Sequence, residues 1–162
     1  MKIEDILKKV QEEFPYIKYE IQEEKQARIY VSKEGFLNVL VYLNNNGFEH
    51  LANIFAIDWI NDGEFEVNYN LWSYTYLVSI IVKVRIPRDN AKIPTAINIW
   101  DHAQVYEREV HEFFGIEFLG NPDLSPLFLH NWKDLPPLRK DFDTEAFARK
   151  AFDVGKREGE KW

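Results

Sequence analysis

Asp101, His102, Glu107, Glu109, His111 and Glu112 crowd one short stretch of this sequence. Glu107 and His111 stand four apart, which on a helix gives them a shared face, as metal ligands often have. The chemistry on offer would be metal ligation. No His-Glu-x-x-His pattern supports it: His111-Glu112 runs on into Phe113-Phe114-Gly115. Such pairs are more often ordinary i, i+4 partners on a wet helix face. The chain has no cysteine, which removes disulfides, thiolate-bound zinc, cysteine-ligated iron–sulfur clusters and thiol nucleophiles together. The glycines, at 35, 47, 63, 115, 120, 155 and 159, form neither G-x-G-x-x-G nor a phosphate-cradling G-x-x-x-x-G-K-[ST] loop. Among paired carboxylates, Glu107 and Glu109 diverge on a helix, and Asp141 and Asp143 share a face only if extended. Nothing selects a catalytic pair, and we expect no catalytic, cofactor-binding or metal-binding residue.

Two features point to surfaces instead. In Tyr106-Glu107-Arg108-Glu109 alternating charges flank an apolar stripe. Helical geometry puts Glu107 at the rim of that stripe and lets Arg108, pointing away, pair with Glu112 at i+4. In Pro136-Pro137-Leu138-Arg139-Lys140-Asp141-Phe142 a stiff Pro-Pro segment presents Leu, Arg and Phe from an extended strand. Arg and aromatic residues on an ordered arm are typical interface anchors, although a tail packed on its own domain would look the same.

These residues need elements to hold them. Ile6, Leu7, Val10 and Phe14 fall at helical spacing over residues 4–14, and Pro15 ends that helix. Strands are expected at 16–21 and 27–31. A helix is expected over 34–46, with Gly47 closing it. Residues 51–60 read as a strand. Phe65, Val67, Tyr69 and Leu71 alternate strictly with polar residues behind an Asn61-Asp62-Gly63 turn, which is a half-buried strand. Residues 76–86 form a third strand of this group, covered on both faces for half its length. Asp101 to Phe114 is the strongest helix, with Asp101 and Gln104 in a capping-box pattern and Gly115 as the stop. Beyond Gly120, Pro122, Pro126, Pro136 and Pro137 rule out long regular elements. A last helix is expected from Asp143, as N-cap, to Lys156. The fold class is therefore α+β. We expect a domain over 1–120 with a mixed or antiparallel sheet and packed helices, then an extended Pro- and aromatic-rich arm over 121–162 that ends in a short helix and binds a partner.

Composition agrees. The 162 residues are 46% apolar and 29% charged, enough for a real core with a wet surface. Net charge is −7. Residues 1–114 hold 12 Lys or Arg against 18 Asp or Glu, and the remainder 8 against 9, so the acidic excess sits in the body. An acidic body argues against nucleic acid, which needs a basic face, and against docking directly on anionic lipid. The start, Met1-Lys2-Ile3-Glu4-Asp5, turns charged at once, so no leader is expected. The best apolar run, 76–86, is broken by Lys83 and Arg85 and is too short to span a bilayer. Membrane association is expected only through partners.

Three blocks in series carry a resemblance. They are Tyr106-Glu107-Arg108-Glu109-Val110-His111-Glu112-Phe113-Phe114-Gly115-Ile116-Glu117-Phe118, Gly120-Asn121-Pro122-Asp123-Leu124 and Pro137-Leu138-Arg139-Lys140-Asp141-Phe142. Their order and spacing resemble the 30 kDa subunit family of NADH-quinone oxidoreductases. Asp58-Trp59 and Pro94-Thr95 before Ile99-Trp100 also fit, so the likeness covers roughly residues 36–142. Asn121 stands where the family usually has His, and Ser125-Pro126 where Arg-Arg is usual. Leu127-Phe128-Leu129 followed by Trp132 is similar to the branch of membrane-bound [NiFe] hydrogenases and formate hydrogenlyase.

The resemblance implies a cofactor-free scaffold in the peripheral arm of a complex I-type oxidoreductase. It implies a large subunit related to the [NiFe] hydrogenase large subunit and a small iron–sulfur subunit as partners, at the cytoplasmic face of the cell membrane. It further implies that Glu107, Arg108 and Glu109 fix their helix by buried or rim ion pairs. Gly115 would end that helix, and Pro122 and Asp123 would shape the turn into the arm. Leu138, Arg139, Lys140, Asp141 and Phe142 would clamp the large subunit, with Arg139 free to grip a carboxylate of that partner. A small stand-alone carboxylate enzyme and a soluble adaptor unrelated to respiration are the rival readings.

Overall fold

The structure is a computed structural model and describes residues 2–152. The elements run α1 (Ile3–Glu13), β1 (Lys18–Glu23), β2 (Gln26–Val31), α2 (Phe36–Asn45), β3 (His50–Trp59), β4 (Glu64–Ser73), β5 (Val78–Pro87), β6 (Lys92–Pro94), α3 (Ala103–Phe114), β7 (Glu117–Leu119) and α4 (Thr144–Phe152). The α+β class holds, and the sheet is mixed. Five strands lie in the order β1-β2-β5-β4-β3, with β2 and β5 parallel and every other neighbour antiparallel.

Period-2 alternation sorts the sheet into two faces. Ile29, Val82 and Tyr69 align across β2, β5 and β4, as do Val31, Val84 and Val67, and all six are buried. On this face α1 lays Ile3, Ile6, Leu7 and Val10 into the core, and α2 adds Phe36, Val39, Leu40 and Leu43. α2 ends as expected: Gly47 adopts φ +93° and the Phe48 N–H donates to the Leu43 carbonyl at 3.0 Å. The opposite face carries Tyr30, Phe55, Ile57, Asn68, Trp72, Ile81, Lys83 and Arg85 around the buried Glu66. Lys83 and Arg85 both pair with Glu66, and Arg85 also reaches Asp62 and Glu64, so two sheet cations share three carboxylates there. β5 is central, with Ser79, Ile81 and Lys83 half-buried on this second face.

One local reading is refined and one changes. The turn at Asn61-Asp62-Gly63 is a short 3-10 helix over Ile60–Asp62 that closes on Gly63 at φ +68°. Trp59 pairs with Glu64, so the turn stands where expected and joins antiparallel β3 and β4 through four residues; what it adds is the 3-10 form. α3 begins at Ala103 with His102 before it and no side-chain cap, so Asp101 is not the N-cap. The Asp101 carbonyl instead accepts the Gln104 N–H at 3.3 Å, because residues 96–103 already form a run of backbone-bonded turns. α3 links the parallel strands β6 and β7 and packs along β3. Asp143 does cap α4, accepting the Ala146 N–H at 2.9 Å, and the expected end at Lys156 lies outside the described residues.

Candidate functional site: a buried carboxylate hub and an anchored arm

The inward face of α3 is Ala103, Glu107, Val110 and Phe114, at steps of four, three and four. Glu107 is therefore at the centre of the stripe and fully buried, where the rim had been expected. It has no cation within ion-pair distance among the described residues. Its Oε1 accepts the Ala96 N–H at 2.7 Å, and its Oε2 accepts the Thr95 hydroxyl at 2.6 Å and the Asn121 amide at 2.8 Å. One carboxylate thus ties the loop before α3, α3 itself and the start of the arm. Burial pushes its pKa above the ordinary carboxylate value, and the three donors offset part of that push. The Tyr69 hydroxyl is fully buried and has no hydrogen-bond partner among the described residues, and its pKa is raised well above the usual range by burial and by the Glu107 charge.

The expected Arg108–Glu112 pair does not form. Arg108 donates through Nε to the Ser125 carbonyl at 3.2 Å and through Nη2 to the Pro126 carbonyl at 3.3 Å, and lies 3.5 Å from Asp123. Glu112 accepts three consecutive arm N–H groups, of Leu127, Phe128 and Leu129, the last at 2.6 Å. Pro126 leads the chain past the end of that carboxylate, and three backbone donors outcompete one half-buried guanidinium. Glu109 is exposed and joins no ion pair among the described residues. Gly115 ends α3 in the left-handed conformation, φ +77°, with Pro136 of the arm packed over it. An Ala side chain there would be strained and would meet Pro136 Cγ at 3.2 Å. Asp123 shapes the turn after Pro122: its N–H donates to Asn121 Oδ1 at 3.0 Å and its own Oδ1 accepts the Ser125 N–H at 2.9 Å. Those Ser125 bonds hold the Asp123 pKa below its ordinary value.

The arm returns to the domain at Asp58, at the end of β3. Arg88 grips Asp58 with Nε at 2.8 Å and Nη2 at 3.0 Å, and the Lys140 N–H donates to Asp58 Oδ2 at 2.8 Å. Arg88 Nη2 also donates to Asp141 at 2.9 Å. Arg139 pairs with Asp141 at 3.1 and 3.3 Å, and both guanidinium groups lie over the Phe65 ring. Arg139 is thus engaged within the chain, contrary to its expected freedom for a partner carboxylate, because Phe65 and Asp141 offer it a stacking face and a counter-charge at once. The Arg139 contact, with help from Arg88, holds the Asp141 pKa low. Phe142 packs with Trp132 and Phe147, ring centroids 4.7 to 5.6 Å apart. Leu138 points outward and is 53% exposed.

The sequence carried no sign of the roles of Asp58, Arg88 and Thr95, and it pointed Glu112 to Arg108 rather than to the arm backbone. Asp58-Trp59 was a visible block, but its partners lie 30 and 82 residues away. The acidic and histidine residues around α3 do not converge: among the described residues no group of three or more His, Asp and Glu is placed to hold a metal ion. His111 instead bonds the Ile116 carbonyl at 2.8 Å.

Comparison with known proteins gives this geometry a family. Residues 29–148 match the model of the respiratory-chain NADH dehydrogenase 30 kDa subunit. The C subunit of the F(420)H(2) dehydrogenase of Methanosarcina mazei is 35% identical over 73% of this chain and 76% of its own. The mitochondrial NADH-ubiquinone oxidoreductase 30.4 kDa subunit of Neurospora crassa is 33% identical over 82% of this chain and 48% of its own. With the C/D subunit of the NADH-quinone oxidoreductase of Psychrobacter sp., 38% identical over 73% of this chain, the match spans 22% of the relative's length. Among solved structures, a chain of the membrane-bound sulfane sulfur reductase, an archaeal respiratory membrane complex, superposes with a TM-score of 0.86 at 32% identity, covering 98% of this chain and 95% of that one. The trypsin-resistant fragment of Nqo5 gives 0.64 at 26% identity, over 75% and 98%. The chain belongs to the respiratory-chain NADH dehydrogenase 30 kDa subunit family. It is a subunit of a complex I-type NADH-quinone oxidoreductase or of a related respiratory complex.

Proposed function

We propose that this chain is the non-catalytic scaffold of its complex, docking a large subunit related to the [NiFe] hydrogenase large subunit and a small iron–sulfur subunit. Residues 1–120 are the rigid body of this scaffold and 121–162 its partner-binding arm. One observation carries the reading. The arm is anchored from beneath by Glu112, Asp58 and Arg88, while Phe128, Leu135, Leu138 and Phe152 face outward at 48% to 72% exposure. A chain that spends buried charge to hold apolar side chains in water is presenting them to a partner.

Leu138 and Lys140 make the outward contact, and Arg139, Asp141 and Phe142 hold the arm in shape behind them. Glu107, Arg108, Gly115, Pro122 and Asp123 set where the arm leaves the body. The chain's place is then peripheral, at the cytoplasmic face of the membrane and held there by partners; no helix among the described residues is long and apolar enough to cross a membrane. The Leu127-Phe128-Leu129 and Trp132 pattern favours the hydrogenase-like side of the family over an NADH-fed one.

The test is affinity purification of the tagged chain from detergent-solubilised membranes of its own cell, with mass spectrometry of the proteins that co-purify. Recovery of a [NiFe]-type large subunit and a small iron–sulfur subunit is the expected result. Recovery of the chain alone from the soluble fraction would overturn the reading in favour of a small enzyme or adaptor.

A further inference from the structure

The two edges of the five-stranded sheet are built differently. β1 is six residues long and turns Lys18, Glu20 and Glu23 to solvent, the usual protection of an open edge. β3 is ten residues long and carries neither charge nor proline from Leu51 to Ile57. Its two ends are occupied. The Trp100 indole donates to the Glu49 carbonyl at 2.9 Å, and the His102 ring bonds the Leu51 carbonyl at 3.0 Å. At the far end the Asp58 carboxylate holds the arm through Lys140.

Between them, residues 53–57 have β4 as their only backbone partner among the described residues. In an antiparallel edge strand alternate residues turn N–H and C=O away from the neighbour, so this window offers unpaired backbone groups over about 17 Å. Asn53 is exposed, and Phe55 and Ile57 lie half-buried beside the edge, on the sheet face opposite α1 and α2.

We propose that the β3 edge from Asn53 to Ile57 accepts an extended segment of a partner subunit as a sixth strand. The inference rests on the scaffold reading and deepens it. Main-chain bonds would supply the affinity, and apolar side chains of the incoming strand would meet Phe55 and Ile57. A second copy of this chain is disfavoured, since each carries a net charge of −7. The window also ends at Asp58, where the arm is anchored, so strand and arm would engage one continuous partner surface.

Hydrogen exchange read by mass spectrometry, on the purified complex and on the isolated chain, tests this. Peptides covering residues 53–57 should exchange at least about tenfold more slowly in the complex, with the β1 edge unchanged. Ile57→Lys, whose new charge faces Glu66 across the strand pair, should keep the isolated chain folded and lower the yield of complex several-fold. Equal exchange at 53–57 in a complex that does assemble would overturn the edge inference and leave the scaffold reading standing. Failure to recover any complex would overturn both. Protection already present in the isolated chain, with a dimer by light scattering, would make the occupant a second copy and overturn the partner-strand proposal.

Discussion

Arg88 grips Asp58 through two parallel hydrogen bonds, 2.8 and 3.0 Å long, and the same Asp58 carboxylate receives the backbone N–H of Lys140 from 82 residues further along the chain. A body residue and an arm residue therefore share one fully buried charge. Removing Asp58 leaves Arg88, largely buried, with Asp141 alone and the Lys140 N–H without its acceptor. Asp58→Ala is expected to cost about 3 kcal/mol in urea unfolding. It should also expose residues 133–142 to protease at concentrations that leave the native arm intact.

Glu107 makes stability depend on pH in the direction opposite to most carboxylates. Its folded pKa lies above the ordinary value of 4.5, so between the two values the folded chain holds more protons than the unfolded one. Its contribution to stability then falls as pH rises from about 4.5 through the folded pKa, and stays level above it. Glu107→Gln removes that decline. A difference plot of unfolding free energy against pH, wild type less variant, should show a downward step in this window; a flat line would mean that the burial costs nothing.

Glu107→Ala is a harsher change. It strands the Thr95 hydroxyl, the Ala96 N–H and the Asn121 amide, each with a desolvation cost of roughly 1–3 kcal/mol if no water replaces the carboxylate. The variant should melt well below Glu107→Gln. Equal melting temperatures would show that water fills the site.

Glu112 holds the arm by three backbone donors, and its loss should act locally. Glu112→Ala is expected to speed amide exchange at Leu127, Phe128 and Leu129 by about tenfold or more while leaving β4 and β5 unchanged.

The outward apolar residues separate folding from assembly. Phe128→Ala combined with Leu138→Ser should change the unfolding free energy of the isolated chain by less than about 0.5 kcal/mol for each site, since both side chains are mostly exposed. The same pair should cut recovery of the complex sharply. Arg139→Ala acts from behind, through Phe65 and Asp141, and should weaken assembly only by loosening the arm.

By itself the sequence determined what is local. Alternation over residues 65–71 and the apolar stripe at Ala103, Tyr106, Val110, Phe113 and Phe114 settle strand and helix, because side-chain period follows backbone geometry. Gly47 and Gly115 end their helices because both adopt positive φ. The three blocks carrying the family likeness are also chain-local patterns. What the tertiary structure decided is pairing. Glu107 looks like a rim charge until the turn at Thr95 and Ala96 and the start of the arm bring it three neutral donors. Arg108 and Glu112 suit each other at i+4, yet each is taken by arm backbone some 15 residues away. The pairing of Asp58 with Arg88 gave no signal, because a buried ion pair across 30 residues depends on strand register and on where the arm lands, and neither is written in any short window of sequence.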